Sequence, residues 1–211
     1  MDSGKVIALS RKRGGQPDDF CVSAVHGPTT TNDAVQINNL TVSPPPGSLR
    51  TGDFFAGPTA EEFKSALGQF LTGLTVVATR DGAGPIGMTC QAFTAVSLSP
   101  PLVLFCARTQ SETARAIAGT GTFSVSMLGK SQRTIAERFG SSASHDDRFN
   151  DVDWTPGATT GCPLLNGAIA HLECILRASH PAGDHRIHIG EVVAASAYTD
   201  NPLTYFRGRY K

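Results

Sequence analysis

The sequence has no surplus of either charge: Lys and Arg total 18, Asp and Glu total 18, and the formal net charge is zero. A protein that holds nucleic acid or an anionic membrane through phosphates carries a basic footprint, which is missing here. Long apolar runs are missing too. Stretches such as Leu102 to Ala107 are strand-sized and far short of a bilayer span. An export signal needs an apolar core of about 7–15 residues behind its basic start. Lys5 to Ser10 is too short for that, and Arg11, Lys12 and Arg13 come directly after it. These absences predict a cytoplasmic protein with no nucleic-acid and no membrane partner. The five cysteines (Cys21, Cys90, Cys106, Cys162 and Cys174) are widely spaced. With no C-x-x-C pair among them, a zinc site or redox dithiol is not expected, and no metal site is predicted. Cys106 and Cys174 fall inside apolar strand patterns, where a cysteine reads as a small buried hydrophobe.

The chain divides by composition. Residues 1–56 hold Pro44-Pro45-Pro46, scattered Gly, Ser and Thr, and no sustained period, which predicts an unstructured N-terminal extension. Residues 57–211 read as one ordered domain. Thr59 and Glu62 form a T-x-x-E capping box, Phe63, Leu67, Phe70 and Leu74 recur at helical spacing, and Gly73 is expected to end that helix near its C-cap. A β-branched strand is expected at Thr75–Arg80, then a turn at Asp81-Gly82-Ala83-Gly84, then loose alternation over Ile86–Leu98. Ser99-Pro100-Pro101 breaks this pattern before a buried strand at Leu102–Ala107. Ser111 and Ser131 read as caps of two short helices ending near Gly119 and Gly140, with an alternating segment Thr122–Leu128 between them. An irregular stretch through Trp154 leads to a long hairpin, Ala168–His180 with His185–Tyr198, joined by Pro181-Ala182-Gly183-Asp184. Leu203–Tyr210 reads as a closing strand. Strands joined by turns rather than helical crossovers predict a mainly β, antiparallel barrel with short α-helices.

Gly82 to Gly87 spells G-x-G-x-x-G after a strand. A dinucleotide-binding fingerprint requires a helix to open there, with its N-terminus on the pyrophosphate. Instead the chain continues as Met88-Thr89-Cys90-Gln91-Ala92-Phe93, then β-branched residues and a Pro-Pro break, with no acidic residue at the expected distance for a ribose. A glycine-rich hairpin turn explains the glycines better.

The segment from Gly87 through Gln91-Ala92-Phe93, Val96-Ser97-Leu98, Pro100-Pro101 and Leu102-Val103-Leu104-Phe105 to Cys106 resembles the flavin reductase family that serves two-component monooxygenases. Three further landmarks fall in order: Ala136-Glu137-Arg138-Phe139-Gly140, Gly183-Asp184-His185, and Tyr205-Phe206-Arg207-Gly208-Arg209-Tyr210. The resemblance runs from about Phe63 to Tyr210. It implies an FMN-binding split barrel of Greek-key type, a homodimer that completes the flavin groove, and hydride transfer from NADH or NADPH to FAD or FMN. The reduced flavin would pass to a separate flavin-dependent monooxygenase.

An isoalloxazine is apolar on its faces and needs hydrogen-bond partners along its pyrimidine edge, so extended backbone carrying small residues suits it. By resemblance, Gly87, Met88, Thr89, Cys90, Gln91, Ala92 and Phe93 lie along the flavin, and Phe105, Cys106 and Ala107 add a second strand end. Ser111 and Thr113 at a helix start suit the phosphate, and Arg138 and Phe139 would reach the phosphate or ribityl end. Gln91-Ala92 stand where many relatives carry Asn-Ser, which removes one hydroxyl from that edge. His185 is implied beside the nicotinamide, with Tyr205 and Arg207 clasping the dinucleotide. His185 and His188 are three apart on a predicted strand, so they face opposite ways and cannot share one metal. The competing reading is a flavin- or haem-binding split barrel without dedicated reductase activity, since a fold does not fix a function.

Overall fold

The computed structural model describes residues 57–211 together with Val35–Ile37 and Leu40–Val42. Those two short segments, β1 and β2, pair antiparallel as a hairpin in a unit of their own, Met1–Gly57. The rest of the extension expected to be unstructured lies outside the described residues. The second unit, Pro58–Lys211, holds all the other elements.

Helix α1 (Ala60–Leu67) starts where its capping box predicts, with Thr59 accepting from the Glu62 backbone and the Glu62 carboxylate returning to Thr59 N at 2.8 Å. It ends at Gly68, not near Gly73. The chain then turns into β3 (Thr72–Gly73) and β4 (Thr75–Arg80). Asp81 Oδ1 accepts from the backbone of Ala83 and Gly84 at 2.8 and 3.2 Å, closing a tight turn into β5 (Pro85–Cys90). This is the hairpin reading of the G-x-G-x-x-G string. The expected long segment to Leu98 is broken at Gln91-Ala92, after which β6 (Phe93–Leu98) and β7 (Pro101–Arg108) form the next hairpin.

Ser111 caps α2 (Glu112–Thr120), which ends at Gly121 in the left-handed region and leads into β8 (Thr122–Met127). Ser131 is not a cap. It sits inside a single 3₁₀ turn (Lys130–Gln132), where the Gln132 side chain accepts from Gly129 N at 3.0 Å and leads into α3 (Arg133–Phe139). The stretch read as irregular through Trp154 contains α4 (His145–Phe149, capped by Ser144), and the small hairpin of β9 (Trp154–Pro156) and β10 (Pro163–Leu165) follows at its end. Elements this short give no sequence period to detect.

The long hairpin is β11 (Ala170–Ala182) and β12 (His185–Ala197), turning on Gly183-Asp184 alone. The expected final strand is two, β13 (Thr204–Phe206) and β14 (Arg209–Tyr210). Arg207 and Gly208 both take positive φ (49° and 73°), the two-residue turn that matches strand twist.

Seven strands form one antiparallel sheet in the order β5-β4-β8-β11-β12-β7-β6. The two outermost strands, β5 and β6, are consecutive in the chain and separated only by Gln91-Ala92. The sheet therefore curls so that its edge strands meet at that bend, where Cys106 N donates to Ala92 O at 2.9 Å, extending the β6–β7 ladder by one residue, and the Cys90 thiol at the end of β5 lies 3.7 Å from Cys106 O. Inside lie Val77, Phe105, Phe123, Val125 and Cys174, closed at one end by Ala114 and Ile117 of α2. A second cluster, with Val76, Ala78, Phe139, Phe149 and Leu165, packs α3, α4 and β10 on the outside of β4. Both faces of β4 are thus covered, which is why Val76-Val77-Ala78 reads as a continuous apolar run rather than an alternation. Each fully buried Phe or Ile side chain contributes about 1.5–3 kcal/mol of burial free energy. Among the described residues no helix is long and apolar enough to cross a membrane.

Candidate functional site

The seam of the barrel brings together most of the segments marked in the sequence. Among the described residues β5 has β4 on one side and no strand on the other, so its outer edge carries ladder groups open to other partners. At the bend, Gln91 and Ala92 are exposed, and the Cys90 thiol lies 3.6 Å from Ala92 O and 3.7 Å from Cys106 O. β7 continues through Arg108 and Thr109 to Ser111, whose hydroxyl caps Ala114 N at 3.2 Å and lies 3.4 Å from Met88 Sδ. Next to it, His185 pairs with Arg108. The turn before His185 is pinned to β7, because Thr109 N and Oγ1 both donate to Asp184 O, at 3.0 and 3.1 Å.

His185 stands with its side chain 41% exposed and Nδ1 2.7 Å from Asp184 Oδ1. That hydrogen bond is the main reason the Asp184 carboxyl is held below its usual range. With Nδ1–H engaged on the carboxylate, Nε2 is the ring nitrogen left for a ligand. His188 is the opposite case. It is 2% exposed, stacks on Phe105 with ring centroids 4.7 Å apart, and neither ring nitrogen has a partner among the described residues. The two histidines do face opposite ways.

Burial decides which atoms of the expected residues are exposed to a ligand. The Phe105 ring is wholly buried against Phe123 and His188, so only its backbone could serve a ligand. Phe139, expected at the phosphate or ribityl end, is 1% exposed and packs edge-on to Phe149, 4.8 Å away, so its ring lies in the core. Ala107 and Thr113 are buried, Thr113 in the first turn of α2. Packing by itself requires a glycine at 87: a Cβ there would lie 2.9 Å from the Phe139 ring and 3.2 Å from that of Phe149. The Thr89 hydroxyl is taken by Ala136 O at 2.6 Å. Arg138 donates to Asn150 O. Met88 and Phe93 pack partly buried on the barrel core.

Cys106 is only half-buried, on the outer face of β7, whereas Cys174 is fully buried as expected. Burial pushes the Cys90 and Cys174 thiols up to about 12, which removes them from nucleophilic chemistry at neutral pH.

Tyr205 and Arg207 belong to another neighbourhood. Tyr205 pairs with Thr72 and stacks edge-on with Tyr210 at 5.3 Å, and Arg207 gives two hydrogen bonds to Gln69 Oε1 at 3.0 and 2.8 Å. An apolar cleft of about 330 Å³ opens near them, lined by Phe70, Thr72, Leu74, Gln91, Phe93 and Leu203 among others. It shares Gln91 and Phe93 with the seam.

Sequence reasoning missed Arg148 and His145. Arg148 donates to Gly87 O at 2.9 Å and to Ser141 O at 2.7 Å, and His145 Nε2 lies 3.2 Å from Glu112 Oε2. Burial lowers the Arg148 pKa, opposed by Glu112, but a guanidinium remains charged at neutral pH. Their five-residue helix has no amphipathic period, so no sequence signal pointed to them.

Residues 67–211 match the family model of the flavin reductase like domain. HsaB of Rhodococcus jostii, the reductase subunit of a flavin-dependent monooxygenase, is 42% identical over 149 residues, covering 70% of this chain and 75% of that protein. The structure of the Streptomyces globisporus NADH:FAD oxidoreductase SgcE6, in complex with NAD and FAD fragments, superposes with a TM-score of 0.68 at 38% identity. That match covers 72% of this chain and 90% of that one. The styrene monooxygenase flavin reductase SMOB of Pseudomonas putida superposes with a TM-score of 0.65 at 33% identity, over 71% of this chain and 95% of that one.

Proposed function

The chain belongs to the flavin reductase family, and from that premise we propose how its own residues carry the reaction. The protein is an NAD(P)H-dependent flavin reductase that supplies reduced FAD or FMN to a partner monooxygenase. Nicotinamide and flavin supply the hydride donor and acceptor between them, so the protein needs no acid or base and contributes orientation and exclusion of water.

The observation that carries the site assignment is the seam itself, where the open edge of β5, the Gln91-Ala92 bend, the β7 end and His185 lie on neighbouring strands. The flavin lies along Met88–Phe93, with backbone of Phe105–Ala107 beside it and Ser111 near the phosphate. His185 faces the nicotinamide through Nε2, and Asp184 fixes its orientation.

The functional unit is a homodimer. On the outer face of β7 and β12, Leu102, Leu104, Cys106, Ile187 and Ile189 form an apolar surface that is only half-buried, with His185 at its rim. On α1, Phe63 and Leu67 are each 55% exposed. Two apolar faces of this kind are what a two-fold interface covers. Tyr205 and Arg207 would then serve the dinucleotide from a second copy. A cytoplasmic address fits this use of nicotinamide, and residues 1–56 are dispensable for the chemistry.

The test is NADH oxidation with and without added FAD or FMN, alongside sedimentation. Flavin-dependent turnover by a dimer is expected. Flavin binding with no turnover would return the protein to the binding-module class, and a fully active monomer would remove the dimer. Deletion through Gly57 should change turnover by no more than about twofold, since no part of the seam is lost.

A further inference from the structure

Arg148 and His145 form a junction that the flavin reductase reading does not use. α4 packs against β5, and Arg148 holds that strand by its Gly87 carbonyl at 2.9 Å. Directly beneath, Gly87 sits on the Phe139 and Phe149 rings with no room for a Cβ, and Thr89 is tied to α3 at 2.6 Å. β5 is therefore clamped at alternate residues, leaving Met88 and Cys90 facing the barrel interior.

The same guanidinium lies 3.4 Å from His145 Nδ1 and donates to Ser141 O. An arginine can only donate, so Nδ1 must accept, and the imidazole proton sits on Nε2. From there it reaches Glu112 Oε2 at 3.2 Å. Glu112 is the first residue of α2, directly after the cap Ser111. One chain of polar contacts, Gly87 O–Arg148–His145–Glu112, thus ties β5 to the start of α2.

We propose that Arg148 is a positioning residue for flavin, holding β5 and the start of α2 in register through His145 and Glu112. This rests on the assignment of those two segments to the flavin. Arg148 touches neither the flavin nor the nicotinamide in this scheme. Its loss should raise the KM for flavin and leave kcat at saturating flavin nearly intact.

The experiment compares Arg148→Met, Arg148→Lys and His145→Ala with the wild type. Flavin titration by fluorescence and steady-state kinetics give affinity, KM and kcat, and thermal melting is recorded for each. Losing a charge-assisted hydrogen bond to a carbonyl predicts roughly a tenfold rise in flavin KM for Arg148→Met. Arg148→Lys, which still reaches one carbonyl, should fall between it and the wild type, with His145→Ala the mildest. Added guanidinium ion should lower the KM of Arg148→Met. If Arg148→Met does not fold, the order of the other two decides. A lowered melting temperature with unchanged flavin KM and affinity overturns the proposal and leaves Arg148 a packing residue. A loss confined to kcat overturns it as well. A wild type that reduces no flavin sinks the functional reading instead, and is told apart by needing no variant.

Discussion

The two faces of β12 are built from the same strand and answer to different demands. Its inward residues, His188 and Gly190, are fixed by what fills the barrel: His188 lies flat on Phe105, and Gly190 leaves the space that the Phe123 ring occupies. Its outward residues, His185, Ile187 and Ile189, are only half-buried. The inner face is spent on stability and the outer face is held available. Two histidines three residues apart, His185 and His188, are thereby given unrelated chemistry by the pleat alone.

The inner face should break first and hardest. A Cβ at Gly190 would run into the tip of the Phe123 ring, which is itself wholly buried in the barrel. Gly190→Val is expected to cost more than about 3 kcal/mol, read by chemical denaturation or as loss of folded protein. A stable, active Gly190→Val enzyme would show that the barrel interior is looser than its packing implies.

The outer face should break differently. Leu104→Asp places a charge on the apolar β7 surface without touching the barrel interior. The expected outcome is a folded monomer by sedimentation, with flavin reduction down by at least about tenfold, since a charge buried in an interface costs several kcal/mol. If the variant unfolds instead, that face belongs to the core and the contrast between the two faces fails.

His185→Ala sharpens the comparison at the rim. The expected penalty is roughly 1–3 kcal/mol of transition-state stabilisation, about 5–150-fold in kcat/KM for NADH, with melting temperature and flavin affinity unchanged. A collapse of flavin binding with normal NADH kinetics at saturating flavin would move His185 into the flavin pocket. No change in either would make it an ordinary surface residue.

His188 gives the smallest effect and one that depends on pH. Burial, with Arg186 adding to it, holds the imidazole below its usual range. The unfolded chain takes up a proton below about pH 6.5 that the folded state declines, so this group subtracts stability as pH falls through that value. His188→Phe keeps a ring on Phe105 and removes two unpartnered nitrogens. It should flatten the loss of melting temperature between about pH 7.5 and 5.5 and gain about 1 kcal/mol at the acid end. An unchanged pH profile would place the acid sensitivity elsewhere.

Much of this architecture was legible along the chain. The capping box at Thr59, the strand Thr75–Arg80, the Ser111 cap and the long hairpin are local features, each dictated by a few neighbouring residues. The family, and hence the reaction class, was legible in the Gly87–Cys106 segment and its three companions. Less legible were the parts with no period to detect: the five residues of α4, the hairpin of β9 and β10, and the split of the last strand at Arg207-Gly208.

What the sequence by itself determined was the set of strands, their turns and the chemistry class, because these come from local patterning and from motifs read in order. Which aromatic rings remain available was decided only by tertiary structure. The rings of Phe105 and Phe139, both within the motifs, lie in the core, and Gly87 has no room for a Cβ beside two phenylalanines. The reason is physical. A motif records which residues are present, but whether a side chain meets a ligand or a neighbour depends on what packs against the opposite face of its strand, and for β5 that neighbour arrives from residues 133–149, far along the chain from the motif itself.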